Sequence, residues 1–117
     1  GAGTVVHEWG HALEHQIPGV GAAAKRFLKQ RVGDEPLKPL RELGSGYTRD
    51  EVGRDDEFEK TFGKAHGRYV GKDYGGRATE IMSMGLEMLY KDPIKFAETD
   101  PEYFDFVVGV AHGKVRA

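Results

Sequence analysis

Thr4-Val5-Val6-His7-Glu8-Trp9-Gly10-His11-Ala12-Leu13-Glu14-His15 carries two patterns at once. Val5, Val6, Trp9, Ala12 and Leu13 recur at helical spacing and predict an amphipathic helix over 4–15, with Thr4 as its N-cap. His7 and His11 are four residues apart on it. That spacing stacks their imidazoles one turn apart on one face, where both can reach one ion. Glu8 is displaced around the helix, so it can reach a water on that ion without being a ligand. The arrangement divides the labour between two neutral histidines that bind zinc and one carboxylate that serves as general base. Zinc acidifies its bound water toward neutrality, and Glu8 accepts the proton. Gly10 interrupts an otherwise good helix at a cost of about 1 kcal/mol relative to alanine. A close approach by another backbone would explain it.

Catalytic zinc takes three protein ligands and leaves the fourth position for water. His15 is a poor third ligand, because His7 and His15 are about 12 Å apart along a straight helix. A third histidine ten residues after the first is excluded, since that position is Ile17 and Glu14 stands where the turn glycine would belong. The remaining scheme takes a glutamate from a second helix. Glu80 is the first choice, in the first turn of a helix predicted over 77–91 and after the glycine-rich turn of Gly71, Gly75 and Gly76. An acidic residue near a helix N-terminus also complements the dipole without any metal. Glu87, Asp73, His66 and His112 remain as alternatives. Ser83 and Met84 share the face of Glu80, and Gly85 offers a flat spot for a crossing at Gly10.

Outside this pair of segments the chain reads as one mainly α (α+β) domain over residues 1–117. Its length suits a single core, and its 38% hydrophobic and 31% charged content is that of a soluble globular protein. A net charge of -2 makes no electrostatic case for nucleic acid or an anionic membrane. No apolar run approaches the roughly 20 residues of a membrane span, and no secretory signal pattern opens the chain. Without cysteine, any transition-metal site must use His, Asp or Glu.

Pro18 and Gly19 are expected to stop the first helix. A second is expected over 21–32, with Ala22, Ala23, Phe27, Leu28 and Val32 inward and Gly33 as its C-cap. Residues 34–57 read as a long loop with a short hairpin near Tyr47, and Asp55-Asp56-Glu57 as a solvated acidic cluster. A short helix over 58–65, a brief strand at Arg68-Tyr69-Val70 and a turn through Lys95-Phe96-Ala97 follow. The last helix is expected over 101–112, with Tyr103, Phe104, Val107, Val108 and Ala111 inward.

HEWGH, together with Thr79-Glu80-Ile81-Met82-Ser83-Met84-Gly85, resembles the gluzincin group of zinc metallopeptidases. The resemblance implies a zincin-like helical core in which a glutamate-bearing helix crosses the HExxH helix. It implies His7, His11 and Glu80 as ligands of Zn2+, Glu8 as catalytic base, and a peptide or protein substrate. Its oxyanion-stabilising tyrosine falls on Tyr74, with Tyr69 second. Members place a sheet and a helix before the HExxH helix, whereas six residues precede His7 here. The expectation is a reduced version, or one completed by an upstream domain or partner chain. Thr79 to Leu89, with Asp100-Pro101-Glu102-Tyr103-Phe104, is also similar to metallopeptidase-like segments at the ends of some phage head-assembly proteins. The alternative is a non-catalytic, zinc-stabilised interaction or assembly module of a larger phage or toxin protein.

Overall fold

Six buried residues in succession, Ile81 to Leu86, make the centre of the molecule. They open a helix that is covered on all sides, as a run with no polar face other than Ser83 requires. The structure, a computed structural model, describes residues 1–113. In chain order the elements are α1 (Ala2–Gln16), α2 (Pro18–Val32), β1 (Lys38–Pro39), a 3-10 turn (Leu40–Leu43), β2 (Val52–Gly53), α3 (Glu59–Val70), α4 (Ile81–Lys91), α5 (Pro93–Thr99) and α6 (Pro101–Ala111). The architecture is mainly helical, with α1 and α6 packed on α4. No described helix is long and apolar enough to cross a membrane.

Glycines make both crossings close. A Cβ on Gly10 would lie 2.5 Å from Ser83 N and 2.7 Å from Met82 C, so α1 touches the backbone of α4. The glycine predicted to meet a neighbouring backbone does so. Gly85 does not share that crossing. A Cβ there would strike Val107 Cγ2 at 2.5 Å and the Tyr103 ring, so it accommodates α6. Phe27, Phe58, Phe62 and Phe96 surround Tyr103, whose hydroxyl donates to the Ile81 carbonyl at 2.5 Å. The one polar atom of that aromatic cluster is thereby satisfied.

Several expectations are corrected. The buried line on α1 runs through Val6, Gly10 and Leu13, while Val5 is 69% and Trp9 56% exposed. The helix turns the glycine toward α4, which sends Val5 and Trp9 to the far side. Pro18 does more than end α1, because it occupies the first turn of α2, where a missing N–H costs nothing. On α2 Ala22 is exposed, and on α6 Val110 is buried in place of Ala111. Arg68-Tyr69-Val70 is the last turn of α3, not a strand. Lys95-Phe96-Ala97 is the middle of α5. Asp92 and Asp100 each precede a proline and cap α5 and α6, accepting from Lys95 N at 3.1 Å and Tyr103 N at 3.2 Å.

The expected hairpin exists as an antiparallel pair, Lys38 opposite Gly53 and Pro39 opposite Val52, with Tyr47 in the segment that joins them. In the acidic cluster behind it Asp55 and Asp56 are tied into the fold, while Glu57 stays exposed as expected. Asp55 accepts from Arg68 Nε at 2.8 Å and Lys38 Nζ at 2.9 Å, Asp56 from Arg31 at 2.6 Å, and Glu57 pairs with Lys60 at 3.0 Å.

Candidate metal centre

The α1–α4 crossing brings His7 and His11 against Glu80. Glu80 is the residue before α4, not a member of its first turn, with φ -100° and ψ 10°. The turn that delivers it contains Gly75 and Gly76 at φ 67° and 81°, a backbone conformation open to glycine. A carboxylate of α1 then locks the register. Glu14 accepts from the Thr79 hydroxyl at 2.9 Å and from the Met82 N–H at 3.0 Å, while Thr79 Oγ1 accepts from Ile81 N at 3.1 Å. One helix thus supplies the capping oxygen for the free N–H groups of the other. Burial pushes the Glu14 carboxyl above its ordinary range despite those hydrogen bonds.

Within that frame His11 Nε2 lies 3.0 Å and His7 Nε2 3.5 Å from Glu80 Oε1. One ligand atom from each of the three residues falls within 4.8 Å of the others. The imidazole rings meet edge to face, their centroids 5.0 Å apart. Glu80 is 1% exposed, whereas the side chains of His7 and His11 keep 19% and 28% of their surface open. The group is therefore a buried carboxyl under two imidazoles that reach solvent. Ser83 Oγ donates to Glu80 Oε1 at 2.7 Å, and the Tyr74 hydroxyl donates to Oε2.

Among the described residues, no lysine or arginine pairs with Glu80. A buried carboxylate is expensive unless it is paired and hydrogen-bonded. Two imidazole nitrogens and a carboxylate oxygen, with an open side, are the donor set of a borderline divalent metal. The residues present fit such an ion.

The other sequence candidates lie elsewhere. Glu87 Oε2 is 3.4 Å from His7 Nδ1, the ring nitrogen that does not face Glu80. A carboxylate on that side would favour the tautomer that leaves Nε2 free to ligate. His15, His66 and His112 are exposed, and Asp73 pairs with Arg54 at 3.6 Å. Glu8 is exposed beside His7, and its carboxylate has no hydrogen bond or ion pair among the described residues. Burial, reinforced by the hydrogen bond to Glu80, pushes the Tyr74 hydroxyl far above the ordinary tyrosine value, so it remains a proton donor. Burial and the charge of Glu80 do the same to Tyr69, whose ring lies 6.3 Å from that of Tyr47.

Two partners of the centre are not picked out as such by sequence reasoning. Ser83 is three residues after Glu80, a spacing that signals contact on one helical face. Glu14 is three after His11 on the same face of α1, which is the only hint of its locking role. No protein-family model, curated protein or solved structure matches the chain.

Proposed function

We propose that the protein is a zinc-dependent peptidase of the gluzincin kind. The observation that carries this reading is the buried carboxylate of Glu80, facing two imidazoles and no basic side chain. His7, His11 and Glu80 would hold the ion. Zinc, when bound, supplies Lewis acidity, lowering the pKa of a bound water and polarising a carbonyl. Glu8 supplies the base. Its carboxylate is unpaired and solvent-facing, one residue along α1 from a ligand, and is free to take a proton from the attacking water and pass it to the leaving amine. Tyr74 supplies a neutral donor beside the centre. Its hydroxyl is committed to Glu80, and a rotation would redirect it to the oxyanion formed on the scissile carbonyl.

The test is Glu8→Gln with zinc retained. Peptide turnover should fall by about 10²–10⁴-fold, the usual worth of a positioned base. Turnover at the wild-type rate by a zinc-loaded variant would sink the mechanism. Elemental analysis of untagged protein identifies the metal.

The exposure of Val5 and Trp9 on the outer face of α1 favours a second reading, a non-catalytic zinc-stabilised module of a larger assembly. That reading expects bound zinc and a lower melting temperature on chelation, with no peptide cleavage by the wild type.

A further inference from the structure

A cleft of about 320 Å³ opens beside the metal centre, between α2 and the turn that delivers Glu80. Tyr74 lines it, and the hydroxyl of that residue donates to Glu80, so one side chain belongs to both the cleft wall and the centre. Four basic residues, Lys25, Lys29, Arg54 and Lys72, line this space with one carboxylate, Asp73, which pairs with Arg54, while Leu28 lends it an apolar wall. In a chain with net charge -2, this is a local reversal of sign. The four differ in what engages them. Lys72 is held by Glu51 at 2.7 Å and Arg54 by the Glu35 carbonyl at 2.5 Å and Asp73 at 3.6 Å. Lys25 and Lys29 are one turn apart on α2, exposed, and have no ion pair among the described residues. Two ammonium groups without counter-charge, beside an apolar wall, match a side chain with an aliphatic stem and a carboxylate head.

We infer that the cleft is a specificity pocket that takes an acidic side chain, glutamate or aspartate, of a peptide bound at the metal centre. The inference rests on the peptidase reading for what the peptide is doing there, and on Lys25 and Lys29 for what is recognised. Attraction of this kind is strongest at low ionic strength and fades as salt screens it. The fixed pairs of Arg54 and Lys72 keep the wall in place, and the two free lysines meet the ligand.

The experiment separates the two claims by measuring binding apart from cleavage. A Glu-Glu pair is walked along an otherwise neutral fluorescent peptide, and each peptide has a Gln-Gln twin. Anisotropy is read on zinc-loaded Glu8→Gln protein, with and without Lys25→Glu/Lys29→Glu. In at least one register the acidic peptide should bind about tenfold tighter than its twin at low salt, a modest gain for two partly solvated ion pairs. The double reversal should erase that preference. Lys25→Gln/Lys29→Gln, a gentler change on the same exposed helix, should reduce the preference to a smaller residue of it. Equal binding in every register, or a preference that survives both double variants, overturns the pocket. The same peptides offered to the wild type test the other claim. Preferential binding without cleavage by the wild type supports the pocket and overturns the peptidase.

Discussion

Two of the polar centres among the described residues, that of Arg31 and that of Glu80, are built on opposite plans. In one, Arg31 of α2 donates to Asp56 at 2.6 Å and to both carboxylate oxygens of Asp100 at 3.1 Å, with Glu102 at 3.5 Å. Its guanidinium lies 4.9 Å from the Phe58 ring centroid, so it is packed as well as paired. In the other, Glu80 is more deeply buried than any of these carboxylates, yet it is met by two hydroxyls and two imidazoles. The chain completes the first centre with its own charges. It leaves the second with ligands and no lysine or arginine. A buried charge that the sequence balances belongs to the fold, and one that it leaves unbalanced asks for something from outside.

The largest effect should come from breaking the balanced centre. Arg31→Ala strands Asp100 and Asp56 and should cost about 3–5 kcal/mol, read by denaturant unfolding. A loss under about 1 kcal/mol would mean that the network is no more than surface charge. At the unbalanced centre the sign reverses. Glu80→Gln removes a buried anion, so the metal-free variant should be as stable as the metal-free wild type or more so. Zinc at a hundred times its dissociation constant should add about 2.7 kcal/mol to the wild type and nothing to the variant. A large loss of metal-free stability in Glu80→Gln would erase the contrast.

Smaller still, Tyr74→Phe deletes the hydroxyl that steadies Glu80 and should weaken zinc binding about 10- to 100-fold, read by competition with a chelating dye. Unchanged affinity would make Tyr74 a bystander to the carboxylate. The smallest effect belongs to a second balanced pair. Burial opposes ionisation of Asp55, but the hydrogen bonds from Arg68 and Lys38 prevail and hold its carboxyl below the ordinary aspartate value. Its contribution is therefore complete above that value and is lost as pH falls through the lower folded-state pKa. Melting curves taken below about pH 4 should show a shallower decline for Asp55→Asn than for the wild type. A parallel decline would remove Asp55 from the acid response.

What was legible in the sequence was what local spacing encodes. The four-residue interval between His7 and His11, the glycine between them and the proline punctuation are covalent facts with short-range consequences. Glu80 was legible as a candidate because a glycine-rich turn precedes it. What was not legible depends on which neighbour a helix finds. Val5 and Trp9 have the periodicity of a buried stripe, but Gly10 decides which face of α1 meets α4, and they are left on the other. Arg68-Tyr69-Val70 has strand-like composition, yet it forms the last turn of α3, where Asp55, Glu42 and the Pro39 carbonyl fix the Arg68 guanidinium. Lys95-Phe96-Ala97 is too short a segment to show a period, and the cap at Asp92 starts that helix. The Tyr74–Glu80 bond was hidden because the sequence points to the tyrosine without saying which acceptor it finds.

The ligands lie far apart in the chain, and the crossing of α1 on α4, with Gly10 against Ser83 and Glu14 bonded to Thr79 and Met82, brings them together. A chain with α1 lifted from α4 has histidines and a glutamate but no site. The apparent dissociation constant for metal is then the intrinsic one divided by the fraction of molecules with α1 docked. A substitution far from the ligands that loosens this helix would register as weaker metal affinity before it registered as unfolding. By the same linkage, the ion would act as a clasp on the N-terminal helix, holding closed the one interface on which its own binding depends.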